Sequence, residues 1–184
     1  MKGPIEWRGS LVEVPRTTTV LFTRYGEKTE SEKHLISRML EVCDVEMLNI
    51  FFKEGYLDSL HPFHHVLVDN DPVRRKLKVE SLIAHNADVN EIYKESERSQ
   101  FTPLHLAVKM KNYLDIQAVI NAGAELNAVG IFPRHRYSLK KPGKKMTAVD
   151  LAKADADLRG YLRRNGGKTY REIKGASTLE NLGV

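Results

Sequence analysis

The fold is decided by residues 102–128, which read TPLHLAVKMKNYLDIQAVINAGAELNA. Pro103 stands where a proline in the first turn of a helix costs no hydrogen bond, and Thr102 is placed to cap that helix. Gly123 stands where a chain leaves a helix in the left-handed conformation. The segment therefore predicts two short helices joined by a tight turn.

Apolar residues follow the helical period in both halves of this segment and predict one buried face on each helix. They are Leu104, Leu106 and Ala107 in the first helix, and Ile116, Val119 and Ile120 in the second. The pattern resembles an ankyrin repeat, in which T-P-L-H-L-A-A opens an inner helix and L-L-x-x-G-A-D-V-N-A closes an outer one. The resemblance implies an all-α ankyrin-repeat solenoid of about four helix-turn-helix repeats.

Three other segments align with residues 101–128. They span approximately residues 31–60, 61–91 and 146–172, and they match through the Pro62–His64 motif, Asn86 in place of the glycine, and a final Thr147–Ala152 motif. Residues 1–30 fit no repeat, and their β-branched and aromatic residues predict a short N-terminal cap with strand character. The repeat domain is predicted to cover residues 31–174, followed by a C-terminal tail at 175–184.

Composition bounds the class of protein. The chain has 184 residues, 41% of them hydrophobic and 29% charged, which is enough apolar material for one core and too little for a membrane span. No apolar signal core follows the first residues, and the one cysteine, Cys43, excludes an intramolecular disulfide. We therefore expect a cytoplasmic protein, or one delivered into the cytoplasm of a host cell.

No arrangement of residues predicts catalysis, a metal or a cofactor. Histidines 64 and 105 occupy the repeat's own histidine position, where the resemblance implies a hydrogen bond to the neighbouring loop. Cys43 falls in a turn between two helices, and nothing in the sequence places a base beside it. The carboxylates of Asp69 and Asp71 are expected in a solvated turn. The chain is expected not to be an enzyme.

The segment 129–145 departs most from the repeat pattern. It is longer than a normal loop and basic, and residues 129–174 hold thirteen Lys and Arg against four acidic residues. A finger with Phe132 and Tyr137 has the composition of an interface anchor. The alternative is a solvated loop whose aromatic side chains fold back onto the protein.

The resemblance implies a noncatalytic protein-protein interaction module, and the basic charge of residues 129–174 predicts that its partner has an acidic surface. The predicted partner-binding residues are Arg98, Ser99, Phe101, Lys109, Met110, Phe132, Arg134, Arg136, Tyr137, Lys140, Lys141, Lys144 and Met146. A bacterial inhibitor, immunity protein or delivered effector is one biological role of this kind. The alternative is a nucleic-acid-associated protein that binds through the basic C-terminal half, although no nucleic-acid motif accompanies the charge.

Overall fold

A computed structural model describes residues 30–53, 55, 57, 60–133 and 143–181 of the chain. Its helices are α1 (Glu30–Val42), α2 (Val45–Lys53), α3 (Pro62–Val66), α4 (Pro72–Ala84), α5 (Pro103–Met110), α6 (Tyr113–Asn121), α7 (Ala148–Leu151), α8 (Ala156–Arg164) and α9 (Tyr170–Asn181). Its strands are β1 (Tyr93–Ser96), β2 (Ser99–Phe101), β3 (Gly130–Phe132) and β4 (Lys144–Met146). Apart from Glu30, the predicted N-terminal cap lies outside these residues.

The prediction of an all-α ankyrin solenoid is wrong. Within the described residues, nine α-helices are joined by a four-stranded antiparallel sheet in the order β1-β2-β3-β4, so the architecture is mixed. The cause lies in residues 92–101 and 129–146, which the repeat pattern treats as connections. These residues instead form two hairpins, in which Tyr93 pairs with Phe101 and the residues Ile131 and Phe132 pair with the lysines of β4. Aromatic and β-branched side chains of this kind pack well on a pleated surface.

The local signals in residues 102–128 act as expected. The Thr102 backbone N–H donates to Nδ1 of His105 over 3.2 Å, and the Thr102 hydroxyl lies 2.8 Å from the same nitrogen, which closes a capping box at the start of α5. Gly123 ends α6 with a φ of +94°, and Asn86 ends α4 with a φ of +57°, so both left-handed positions are confirmed. The sequence gives no warning that Lys111, after α5, also adopts a φ of +56°.

Two asparagines fasten the turn after one helix pair to the turn after the next. Asn90 donates its side-chain N–H to the Gly123 carbonyl and accepts from the Glu125 backbone N–H, over 3.2 and 2.7 Å. Asn127 makes the same two bonds further along, to the Gly166 carbonyl and from the Lys168 N–H, over 3.3 and 2.7 Å. Consecutive helix pairs are therefore held in one register.

The helices share one continuous apolar core. Its largest fully buried members lie on α1, α2, α3, α4, α5, α6 and α8, and they include Leu48, Phe63, Leu82, Leu104 and Leu162. Burying each such side chain contributes about 1.5–3 kcal/mol before conformational entropy is subtracted. No helix in the described part of the chain is both long and apolar enough to cross a membrane.

A buried ion cluster joins α1 to α4, and the name Lys78 cluster is used for Lys78, Asp69 and Arg74. Lys78 is fully buried, and its Nζ donates to Asp69 Oδ2 over 2.8 Å and to the carbonyl oxygens of Leu40 and Glu41 near the end of α1, over 2.8 and 3.3 Å. Arg74 donates two hydrogen bonds of 2.7 Å to the same carboxylate. The expectation that Asp69 lies in a solvated turn is therefore wrong.

The hydrogen bonds decide the charge state of this cluster. Burial acts to raise the pKa of Asp69, but the bonds from Arg74 and Lys78 outweigh it and hold that pKa well below its ordinary value. Asp69 accordingly stays ionised inside the protein. Cys43 lies beside this cluster between α1 and α2, as expected for a turn residue, and burial raises the pKa of its thiol to about 11.

Candidate functional site

The candidate site is the four-stranded sheet, whose two faces differ. Tyr93 pairs with Phe101 and Lys94 with Gln100 between β1 and β2, while Gln100 pairs with Ile131 between β2 and β3. Because successive side chains of a strand point to opposite faces, the Tyr93–Phe101 pair and the Lys94–Gln100 pair lie on opposite sides of the sheet. One side is aromatic and packed against helices, and the other is polar.

The packed side carries an aromatic cluster. Phe101 and Phe132 are stacked with ring centroids 6.0 Å apart, and Phe132 also contacts the His105 ring at 5.5 Å. Tyr93 stacks on His64 at 4.6 Å. These ring contacts fix the two hairpins onto α3 and α5, since each aromatic pair adds about 0.5–1.5 kcal/mol beyond its buried area.

Two glycines permit this packing by their lack of a side chain. A Cβ on Gly130 would lie 2.7 Å from the Phe132 ring and 3.0 Å from the Gln100 carbonyl oxygen. A Cβ on Gly143 would lie 2.8 Å from the Arg98 carbonyl oxygen, at the turn of the other hairpin. Both positions therefore bring the two hairpins closer than any larger residue allows.

The exposed side carries a cross-strand row, here called the outer row, of Lys94, Gln100, Ile131 and Lys145. Direct pairing sets their order, because Ile131 also pairs with Lys145 between β3 and β4. Both lysines are exposed, and Gln100 and Ile131 are half-buried. Neither lysine forms a salt bridge with another described residue, and both side chains are exposed.

Histidine 64 links α3 to the sheet, as the expectation of a histidine bonded to the neighbouring loop required. Its Nε2 donates to the Phe101 carbonyl over 3.2 Å, and its Nδ1 lies 3.2 Å from Oε1 of Glu91. Burial lowers the pKa of His64 to about 4. Burial raises the pKa of Glu91 to about 8, against the opposing effect of His61. At neutral pH the pair is uncharged.

Histidine 105 occupies the same position on α5 without a carboxyl partner. Its side chain is almost fully buried, and its Nε2 has no hydrogen-bond partner within the described residues. Burial lowers its pKa to about 4, although the carbonyls of Met146 and Ala128 act in the opposite direction. Among the residues that the structure describes, no group of histidines, cysteines and carboxylates is arranged to hold a metal ion.

The structure separates the predicted partner-binding residues into three groups. Those that are accessible or half-buried are Arg98, Lys109, Met110, Lys144 and Met146. Those that are buried are Ser99, which donates to Glu95 over 2.7 Å, and Phe101 and Phe132, which belong to the aromatic cluster. Those outside the described residues are Arg134, Arg136, Tyr137, Lys140 and Lys141.

Three of the predicted contacts have to be corrected, and Ser99 is one of them, since it is 6% exposed and its hydroxyl is used by Glu95. Phe132 is 9% exposed and Phe101 is 8% exposed, so neither ring offers an anchor on the surface. For Phe132 the second of the two sequence-based alternatives describes its position, because the ring folds back onto the protein. Lys109 covers what remains of the Phe101 ring, with its Nζ 5.8 Å from the centroid.

Sequence reasoning missed Lys94 and Gln100 in the outer row. Both lie in residues 92–100, which were taken as a connection between repeats. Lys94 follows Tyr93, and Gln100 precedes Phe101, so each polar residue stands next to a ring. This alternation is the signal of a strand with one packed face, and it could have revealed them.

Comparisons with known proteins do not extend this picture. No protein-family model matches the chain, and neither the curated proteins nor the solved structures contain a match. The resemblance to ankyrin repeats therefore rests on the residues of this chain alone.

Proposed function

We propose that the chain is a noncatalytic protein-protein interaction module that binds an acidic protein partner on the outer row. The observation that carries the proposal is the row itself, in which two exposed lysines, without a salt-bridge partner among the described residues, flank the half-buried Ile131 and Gln100. An apolar centre inside a charged rim is the usual anatomy of a protein interface.

Further basic residues adjoin the outer row. Arg98, at the turn between β1 and β2, is exposed and forms no salt bridge with another described residue, whereas Lys144 pairs with Phe132 and so points to the opposite side of the sheet. Glu95 and Glu97 supply the acidic side chains in this part of the chain, and Glu95 is engaged with Ser99. In sequence, β3 and β4 are joined by a segment that adds Arg134, Arg136, Lys140 and Lys141. This excess of positive charge favours an acidic surface and accelerates association with it.

The resemblance of residues 102–128 to an ankyrin repeat supports the same proposal, because that family acts mostly by binding protein partners. An inhibitor, immunity protein or delivered effector of bacterial origin, working in the cytoplasm, is the role that we assign on this basis. Nucleic acid is the second candidate ligand, and the positive charge of residues 129–174 favours it.

Site-specific crosslinking tests the proposal. A photoreactive phenylalanine analogue at Ile131 should capture a protein from a lysate of the source cells, whereas the same analogue at exposed Leu114 on α6 should not. Charge reversal at Lys94 and Lys145 together should weaken capture and slow association at least tenfold. The matched control is reversal at Lys53 and Lys153, which are equally exposed lysines away from the sheet.

Each result decides between the candidates. Equal capture through Ile131 and Leu114 would overturn the proposal. A captured species that nuclease removes, with affinity falling linearly in the logarithm of salt concentration, would favour nucleic acid over protein.

A further inference from the structure

The hydrogen bonds of His64 require a proton at a defined place. A carbonyl oxygen can only accept, so the 3.2 Å contact with the Phe101 carbonyl places a hydrogen on Nε2 of His64. In a neutral ring that leaves Nδ1 as a bare acceptor, and Nδ1 lies 3.2 Å from Oε1 of Glu91. An ionised carboxylate is also only an acceptor. Two acceptors facing each other at this distance inside the protein would repel, so a hydrogen lies between them.

We propose that Glu91 carries this proton as a carboxylic acid that donates to Nδ1 of His64, and that losing it at raised pH releases the β1–β2 hairpin. Glu91 lies two residues before β1, and Phe101 is the last residue of β2. The chain of bonds from Glu91 through His64 to Phe101 therefore ties both ends of the hairpin to α3. Removing one proton breaks the first of these bonds.

The surroundings of the pair favour the neutral form. The side chain of Glu91 is 10% exposed and that of His64 is 3% exposed, so an isolated negative charge there is poorly solvated. The ionisable groups that face the pair are His61 on the turn before α3, with its Nδ1 3.6 Å from Oε2 of Glu91, His65 on α3, Tyr93 on β1, and Asp88 on the turn after α4. Glu41, at the end of α1, acts on His65.

The backbone N–H of Phe63 and a protonated His61 both oppose the proposal, because each would stabilise the Glu91 anion. The side chain of His61 is 40% exposed, so water screens most of its effect. Asp88 acts in the other direction and favours the protonated carboxyl. The raised pKa of Glu91 and the lowered pKa of His64 agree with the proton lying on the carboxyl.

Proton counting fixes the pH window and its sign. In the docked hairpin the pair holds one proton, on Glu91, until the pH passes about 8. In the released hairpin Glu91 loses its proton near 4.5 and His64 near 6.5, their ordinary values. Between pH 4.5 and 6.5 both states therefore hold one proton and docking does not depend on pH. Between 6.5 and 8 only the docked state holds it, so docking weakens as the pH rises.

The proposal does not rest on the proposed function, since the switch belongs to the free chain and is tested without a partner. Lys94 and Gln100 nevertheless lie on the hairpin that the pair holds, so release of the hairpin would take the outer row apart. The outer row would then be most fully held together between pH 4.5 and 6.5, and progressively less so as the pH rises above 6.5.

Hydrogen exchange of the free full chain tests the switch. The opening equilibrium of amides in β1 and β2, corrected for the intrinsic pH dependence of exchange, should rise on the order of 30-fold between pH 6.5 and 8.5 and return on acidification. Glu91→Gln should remove the rise, because its amide N–H donates to Nδ1 at every pH. Glu97→Gln is the control, since Glu97 is an exposed carboxylate at the turn of the same hairpin. It should behave as the wild type.

A rise in Glu91→Gln equal to that of the wild type would overturn the proposal, and so would a flat wild-type profile. Imidazole nitrogen resonances of the wild type give a second, independent test that needs no variant. At pH 7, His64 should be a neutral ring with its hydrogen on Nε2. Observation of an imidazolium, or of a hydrogen on Nδ1 of a neutral ring, would overturn the placement of the proton.

Discussion

The Lys78 cluster and the Glu91–His64 pair lie at opposite ends of the helical hairpin formed by α3 and α4. Each contains one buried carboxyl group, which is ionised in the Lys78 cluster and protonated in the pair. Asp69 and Glu91 are both buried, yet the pKa of Asp69 is held low and that of Glu91 is raised to about 8. Asp69 receives N–H bonds from Lys78, from two nitrogens of Arg74 and from the Asp71 backbone. Glu91 receives only weaker support of this kind from the described residues, from the Phe63 backbone N–H and from the half-exposed His61 ring, whose Nδ1 lies 3.6 Å from Oε2.

The supply of donors, and not the depth of burial, therefore decides whether a carboxyl stays ionised in this protein. A buried charge that is fully hydrogen-bonded is retained, and one that is not is neutralised by a proton. The consequence for stability also differs: Asp69 stays ionised throughout the neutral range, whereas the Glu91–His64 pair responds to pH there.

Removing the central cation should give the largest effect. Lys78→Met takes a donor from Asp69 and from the two carbonyl oxygens near the end of α1, all of them away from water. Breaking a buried ion pair in this way costs about 3–5 kcal/mol. Urea unfolding at pH 7 measures it. A loss of stability below about 1 kcal/mol would show that the charges of the Lys78 cluster contribute little to folding. It would contradict the comparison with the Glu91–His64 pair.

The decrease in the free energy of unfolding at acidic pH, here called the acid limb, should report on His105, the buried histidine without a carboxyl partner. Its pKa is lowered to about 4, so below its ordinary value of 6.5 the unfolded chain binds a proton that the folded chain does not. Stability should therefore fall by about 3 kcal/mol as the pH drops from 6.5 to 4. His105→Gln should remove that part of the slope in a series of urea titrations.

The Glu91–His64 pair as a whole should contribute little to the same limb, because Glu91 holds in the folded state the proton that His64 binds in the unfolded state. Removing both groups together, in Glu91→Gln/His64→Gln, should therefore leave the slope over pH 4.5–6.5 unchanged, whereas His105→Gln changes it. A change of slope in the double variant equal to that of His105→Gln would contradict the contrast.

Buried and exposed ion pairs formed by residues of α4 should differ in how much they stabilise the fold, and this difference should be smaller than the effects above. Arg75 donates to Asp115 Oδ2 over 2.7 Å and to the Asp69 carbonyl over 2.6 Å, and both its side chain and that of Asp115 are largely buried. Arg75→Gln should cost about 2 kcal/mol in thermal or urea unfolding. Lys76→Gln is the matched control one residue further on, since its 3.8 Å pair with Glu80 is exposed and should cost less than about 0.5 kcal/mol. Equal costs would contradict the role given to burial.

The sequence predicted those parts of the fold that are encoded within a few residues. Thr102 and Pro103 begin α5, Asn86 and Gly123 end α4 and α6, and Cys43 lies in a turn, because capping and left-handed turns depend on local residue type. The sheet was missed because its strands have three or four residues, and because the pairing of β2 with β3, which joins the two hairpins, spans about 30 positions of sequence. Such pairing depends on contacts that no short window displays.

The candidate site was predicted less well than the fold, for a related reason. Arg98, Lys109, Met110 and Lys144 are exposed, but the aromatic residue expected to anchor a partner, Phe132, is buried. A ring next to a basic segment is equally compatible with an interface and with a core. Gly130 decides in favour of the core, since its lack of a side chain leaves room for the Phe132 ring. This role of Gly130 can be recognised only when the pairing of the strands is known.

Asn90 and Asn127 also set a limit on how this sequence can vary. Each amide donates and accepts at once, in the manner of a peptide unit, between two turns that lie more than 30 residues apart. Aspartate would keep the acceptor and lose the donor, and glutamine would shift both by one methylene group. Each exchange forfeits about 1 kcal/mol per bond. Natural selection therefore has less freedom at these two accessible positions than at many residues of the core, where one apolar side chain can often replace another.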